Sequence, residues 1–410
     1  MCPRKLARRS ALFALLPLAL SGCGGASFDD PSIVKGLRIL AVEKSVPYPK
    51  PQEDIAVTLL FWDGKTTEDN PRDVHIFFSK VACENPPGDL YYNCLTQLGA
   101  GFEEGTPDGS NPDDVPDGGA PDAGETDGGT SDGGAPLAGT RAPGFVPLTA
   151  ANLPRGRRLA PSDFVRATEL ERTTDRASSR EDQPLLADVN HTRGRHYSLS
   201  ADIIHPRMGR DPYGLAYVLF AACPGHLGIV PNAGANTLPF GCFDDVDNHQ
   251  YGTSDFVLGY TSMYAYENRV NMNPIVNSFL FENAVIDGSA DDSIPPRHVP
   301  ACKASDRTQC PKFPIKLDID RSSAEIDDDP SAVTPDGQKL QEQMWVDFYA
   351  TKGEFKSSVR LVNDATTGWN DDNGTEFSAP AEPGPVRIFA IVHDNRGGVA
   401  WREGKIIVDE

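Results

Sequence analysis

The side chains best suited to chemistry fall into a few small groups. Asp244, Asp245 and Asp247 form one dense carboxylate cluster, and Asp327, Asp328 and Asp329, just before Pro330, form another. Hard cations such as Ca²⁺ take several oxygens from a single turn, so either cluster could supply ligands. Neither follows an EF-hand spacing, and acids in solvated loops are the commoner case. His191 and His196 stand five apart, which neither a helix nor a strand converts into a ligand pair, so they are expected in a surface loop. Trp62, Trp345, Trp369 and Trp401 would suit a sugar-stacking platform if they converged, but they are scattered and at least two fall in apparent strands, where core packing is the default. The spacings H-E-x-x-H, G-x-x-x-x-G-K-[ST], C-x-x-C and G-x-G-x-x-G do not occur. The expectation is a non-catalytic chain with no cofactor and no resident metal ion.

The cysteines say more. Arg4, Lys5, Arg8 and Arg9 precede the apolar run Ala11 to Leu20, and Leu20-Ser21-Gly22-Cys23 closes it. A basic start, a short apolar core and small residues before a cleavage point are the parts of a secretory signal. The ending resembles a lipobox, the motif of bacterial lipoproteins. That resemblance implies removal of residues 1–22, acylation of Cys23 and membrane attachment through its lipid, with Gly24 directing passage to the outer membrane. The six remaining cysteines fall as three close couples: Cys83 with Cys94, Cys223 with Cys242, and Cys302 with Cys310. Locality favours these pairings, although sequence alone does not choose among the alternatives. An exported chain meets an oxidising compartment in which such bridges persist. Zinc is the rival reading, but no couple has knuckle spacing and no histidine pair stands near.

The formal net charge is −21, and without residues 1–22 it becomes −25, from 34 basic and 59 acidic residues. Such a surface repels phosphate backbones, so nucleic acid is excluded as a partner. No later apolar run approaches the ~18 residues of a membrane span, so the expected anchor is lipid. At about 390 mature residues, two domains are expected.

Residues 23–34 read as a lipidated tether. Leu37 to Lys44 follows, and after a proline-rich break Ile55, Val57, Leu59 and Phe61 alternate with their neighbours, as do Val74, Ile76 and Phe78. Strict alternation predicts strands with one buried face. Residues 103–143 are rich in Asp, Gly and Pro, with Asp-Gly-Gly at Asp117, Asp127 and Asp132, and are expected to form a disordered insert. Calcium-binding repeats would need a regular spacing that is missing here. In residues 144–212, Arg155, Arg157 and Arg158 make a small basic cluster, and Ser162 is placed to cap a helix running to about Arg176. Tyr197 to Ile204 reads as a strand, Gly214 to Ala222 as a central strand covered on both sides, and Phe256 to Tyr266 as its neighbour. Alternation restarts after Asn271-Met272-Asn273-Pro274, at Ile275 to Phe281, then at Phe313 to Ile319 and Met344 to Ala350. Val386 to Val392 and Val399 to Val408 flank the turn His393-Asp394-Asn395-Arg396-Gly397-Gly398, a hairpin signal.

The closing stretch from Pro383 to Asp409 is similar to the last two strands of Ig-like and PKD-like domains. The whole layout resembles lipoproteins of the kind found in myxobacteria. The implied architecture is all-β: two Ig-like antiparallel β-sandwich domains in tandem, residues 35–270 carrying the insert and residues 271–410 forming the C-terminal unit. The expected role is a membrane-anchored extracytoplasmic lipoprotein that binds, adheres or supports the envelope, its partners being an envelope protein or a surface ligand. Two alternatives are kept: a lipid-tethered hydrolase with its site in residues 144–212, and a calcium-dependent adhesin.

Overall fold

A computed structural model describes residues 30–66, 72–97, 146–147, 160–167, 192–208, 210–231, 240–286, 295–304, 306–329 and 331–410. Residues 1–22, Cys23, the insert 103–143 with its three Asp-Gly-Gly repeats, Arg155, Arg157, Arg158 and His191 lie outside the described residues. The longer strands of the first half are β1 (Leu37–Lys44), β2 (Asp54–Asp63), β3 (His75–Ser79), β4 (Phe164–Arg166), β5 (Thr192–Ser198), β6 (Arg210–Cys223), β7 (His226–Ile229), β8 (Phe240–Phe243) and β9 (Val257–Ala265). Those of the second half are β10 (Val276–Phe281), β11 (Phe313–Ile319), β12 (Met344–Ala350), β13 (Val359–Asp364), β14 (Thr375–Ser378), β15 (Gly384–Asp394) and β16 (Val399–Asp409).

The fold is all-β and its sheets pack face to face, as alternation implies. A seven-stranded sheet is built around β9-β6-β3-β4, and a three-stranded sheet runs β1-β2-β5. Ile55, Val57 and Leu59 from one sheet and Val218, Phe220 and Phe78 from the other are fully enclosed between them. In the second half a five-stranded sheet containing β10-β11-β14 packs on a six-stranded sheet containing β16-β15-β12-β13. Phe279, Phe281, Phe348, Ile388 and Ile406 fill the space between them. All pairings within these sheets are antiparallel except Arg297–Pro300, which runs parallel to β16.

Alternation understates the burial of four strands. Leu40 and Ala41 of β1, Leu60 and Trp62 of β2, Phe389 and Ile391 of β15, and Val399 and Trp401 of β16 point away from the two cores just described and pack against one another. A β-bulge between Ile39 and Ala41 breaks the alternation of β1 and turns the consecutive residues Leu40 and Ala41 to the same face, into the seam, while Ile39 and Val42 face the first core. The three-stranded sheet is therefore a middle layer, and the order of layers is seven-, three-, six- and five-stranded. Each large apolar side chain buried in this seam contributes about 1.5–3 kcal/mol, so the seam is held chiefly by apolar contact. The six-stranded sheet is covered unevenly on this side, because the seam residues come from β15 and β16, with Tyr349 of β12 packed only at its margin.

One expected element differs. The helix from Ser162 is replaced by a 3₁₀ turn at Pro161–Asp163 followed by strand β4; residues 168–176 lie outside the described residues. The Asp163 carboxylate accepts from the backbone N–H of Ala160 at 2.8 Å and closes this turn, as it would the first turn of a helix; the strand pairing that follows ends it there. Phe164 is then buried as β4 pairs with β3.

Candidate functional site

The six cysteines couple as the sequence suggests, with Cα–Cα separations of 5.6 Å for Cys83–Cys94, 5.6 Å for Cys223–Cys242 and 5.5 Å for Cys302–Cys310. These separations suit disulfide geometry. The second bridge ties the end of β6 to β8 and so fixes the start of the loop that carries Asp244, Asp245 and Asp247.

That loop divides its acids. Asp244 accepts from the N–H groups of Val246 and Asp247 at 2.7 and 3.1 Å and from the Tyr251 hydroxyl at 2.6 Å. The Tyr251 bond, with the two backbone bonds, holds its carboxyl down to about 2. Asp247 lies 2.6 Å from His249 Nδ1, and ligand atoms of Asp244, Asp247 and His249 all fall within 4.8 Å of one another. Such a set can chelate a cation, although its atoms already serve internal hydrogen bonds. Asp245 turns the other way, 2.9 Å from His226 Nδ1 and 3.9 Å from His75 Nε2. His75 escapes a reading of spacing because it arrives from β3, paired opposite Cys223 across the sheet. Arg166 lies 2.5 Å from its Nδ1, and burial, ahead of the neighbouring charges, lowers its pKa.

The second acid cluster is spent on arginines. Asp328 lies 3.4 Å from Arg396 and accepts from the N–H of Val270 at 3.1 Å. Asp329 lies 2.9 Å from Arg269, which also reaches Asp211 at 2.7 Å. Asp327 accepts from the N–H of Asp329 at 2.9 Å. Arg396, at the tip of the β15–β16 hairpin, further contacts Glu342 at 2.5 Å and Glu325 at 3.0 Å and lies 5.7 Å over the ring of Tyr48. Asp394 closes that turn by accepting from the N–H groups of Arg396 and Gly398, both at 2.8 Å. Asn273 joins the halves here, donating to the Lys44 carbonyl at 2.7 Å and accepting from the N–H of Val399 at 2.9 Å. Burial pushes Glu342 up to about 8 and Glu43 up to about 7, and lowers Lys44 to about 8.

A groove of about 550 Å³ opens in the second half beside β11 and β14. Two of its cations are matched by its acids, Lys356 with Glu376 at 3.3 Å and Arg360 with Asp372 at 3.0 Å, while Lys316 donates to the main-chain carbonyl of Asp371 at 2.9 Å. The groove offers polar groups to a ligand but no large charge of either sign.

The remaining candidates are structural. His196 lies not in a loop but on β5, paired with β2, with its ring exposed and 2.8 Å from Asp54. Trp62 and Trp401 meet in the seam, and Trp345 and Trp369 are half-buried elsewhere, so the four form no common platform. The described parts of residues 144–212 supply β4, β5 and short pairing segments. Comparison with protein-family models, curated proteins and solved structures found no match.

Proposed function

We propose that this chain is a lipid-anchored extracytoplasmic lipoprotein with a non-catalytic binding, adhesion or envelope-structural role. The observation that carries the reading is the cysteine inventory. Six cysteines of the mature chain sit in three local couples of disulfide geometry, as an oxidising compartment favours. The seventh, Cys23, stands directly behind a basic and apolar leader ending in Leu-Ser-Gly. Gly24 supports the outer membrane as destination. Residues 35–270 and 271–410 are taken as the two units of the chain; of the expected tether 23–34, Ser32 to Val34 are docked on the end of β12, so the tether proper is the stretch before Asp30. The near-neutral groove and the loop ends of the sandwiches are the surfaces on which an envelope protein or surface ligand would dock. A net charge of −21 argues against nucleic acid.

The test is Cys23→Ser followed by cell fractionation and labelling with a fatty acid. The unaltered protein is expected in the membrane fraction carrying label, and the variant in the soluble fraction without it. Unchanged partitioning of the variant overturns the reading.

A further inference from the structure

The uneven covering of the six-stranded sheet leaves one half of a face without a covering layer among the described residues. On β12 and β13 this half carries Trp345 opposite Leu361, with Tyr349 and Val359 alongside. Val359 is 38% exposed and Leu361 36% exposed, while Trp345 and Tyr349 are half-buried. The acid between the two aromatic residues, Asp347, is buried, with a carboxylate oxygen 3.2 Å from Nε2 of the enclosed His393. In so acidic a chain this is a surface turned apolar and aromatic by its strand register.

The N-terminal segment meets the body at this same margin. Ala350 at the end of β12 donates its N–H to Ser32 and accepts from Val34, both at 2.9 Å, and Ile33 bridges Ala350 in parallel. The preceding pairing on that edge of β12 is the N–H of Phe348 to Ser358, just before β13 begins. Ser32 to Val34 thus continue the edge where Val359 starts, and the chain leaves the body beside the uncovered half-face. Six residues lie between Cys23 and Asp30, which makes seven residue-to-residue steps. At most about 3.3–3.6 Å per residue, they span no more than about 25 Å. Arg38 lies near Tyr349 and donates to the Pro31 carbonyl, placing a cation at the rim.

We infer that Trp345, Tyr349, Val359 and Leu361 lie against the phospholipid surface that holds the lipid of Cys23. This rests on the lipoprotein reading. The short tether keeps the body close to the bilayer and brings this half-face to it. Trp and Tyr suit the headgroup level, where an amphipathic ring meets both phases. The acidity of the rest of the chain opposes anionic lipid, so a zwitterionic surface is the matched partner.

The test uses the full lipidated protein reconstituted in phosphatidylcholine vesicles with brominated acyl chains. Flotation, the mass of the Cys23 peptide and tryptophan fluorescence are read together. Expected is flotation with quenching that Trp345→Phe largely removes. The double variant Val359→Glu/Leu361→Glu should still float but lose the quenching, with an unchanged circular dichroism spectrum. A lipidated protein that floats without quenching overturns the inference and leaves the anchor intact. So does quenching that survives in Trp345→Phe, or a half-face protected instead by a second copy in a cross-linked dimer. An unmodified Cys23 with no flotation brings down the anchor and this inference together.

Discussion

The two acid-rich loops are alike in sequence and opposite in what surrounds them. Asp244 and Asp247 are satisfied within their own turn, by backbone N–H groups, Tyr251 and His249. Asp328 and Asp329 are satisfied from far along the chain, by Arg396 at a hairpin tip and Arg269 at the junction between the halves. The local cluster stays near solvent and keeps the geometry of a chelating turn. The distant one becomes part of the polar margin of the seam, beside Glu342, Tyr48 and Lys44. Density of carboxylates therefore says little about cation binding. What decides is whether an arginine elsewhere is delivered to them.

The sharpest way to break this contrast is Arg396→Ala. It strands Glu342, whose side chain is fully enclosed, together with Glu325 and Asp328. Above pH 8, where Glu342 carries its charge, removing its cationic partner costs about 3–5 kcal/mol, which a fall in the urea midpoint would register, with a smaller fall at pH 6, where Glu342 is protonated. An unchanged midpoint would mean that the margin is hydrated and contributes little. The next effect is a pH dependence. Burial raises Glu342 from its ordinary carboxyl range to about 8 and Glu43 to about 7, so the folded chain holds protons that the unfolded chain has released. Their contribution is full below the unfolded carboxyl range near 4.5 and declines as pH rises towards 8. Lys44, lowered from 10.5 to about 8, acts oppositely in a higher window: the unfolded chain holds the extra proton there, so stability recovers between pH 8 and 10.5. The melting temperature should fall from pH 5 to 8, and Glu342→Gln should flatten that slope.

Smaller still is Arg269→Ala, since Asp211 is open to solvent and Asp329 about a third exposed at 32%. A loss of roughly 1 kcal/mol or less is expected by denaturant titration. The least effect belongs to Asp244→Ala/Asp247→Ala, which should leave the melting temperature almost unmoved in the presence of EDTA. It becomes informative with millimolar Ca²⁺. Any calcium-induced rise in melting temperature must vanish in this double variant and persist in Asp328→Ala, because the oxygens of the 327–329 loop are already engaged. A rise abolished by Asp328→Ala would reverse the comparison.

Alternation in β2 and β15 exposes the two cores directly, since Ile55, Val57 and Leu59, or Val386, Ile388 and Ala390, recur at every second position. The middle layer is harder to read. Leu60, Trp62, Phe389 and Ile391 occupy the positions that a single-faced strand would leave polar, and the runs LLFW and FAIV are the signal that both faces are covered. The carboxylate clusters are legible as clusters, but their partners are not. The approach of Arg396 to Glu342 joins residues 54 apart, and that of His75 to Asp245 joins a strand to a loop distant in sequence. The helix signal at Ser162 is met by a single 3₁₀ turn, closed by the Asp163 carboxylate on the Ala160 N–H, because Phe164 next to it is drawn into pairing with β3.

The apolar seam also limits how this chain can be taken apart. Separating it near Asn271 would bare Leu40, Leu60 and Trp62 on one fragment and Phe389, Ile391 and Trp401 on the other. Each piece would carry a sticky slab in place of a wetted one. Either fragment made alone should aggregate, whereas the two produced together should find each other and refold as a pair.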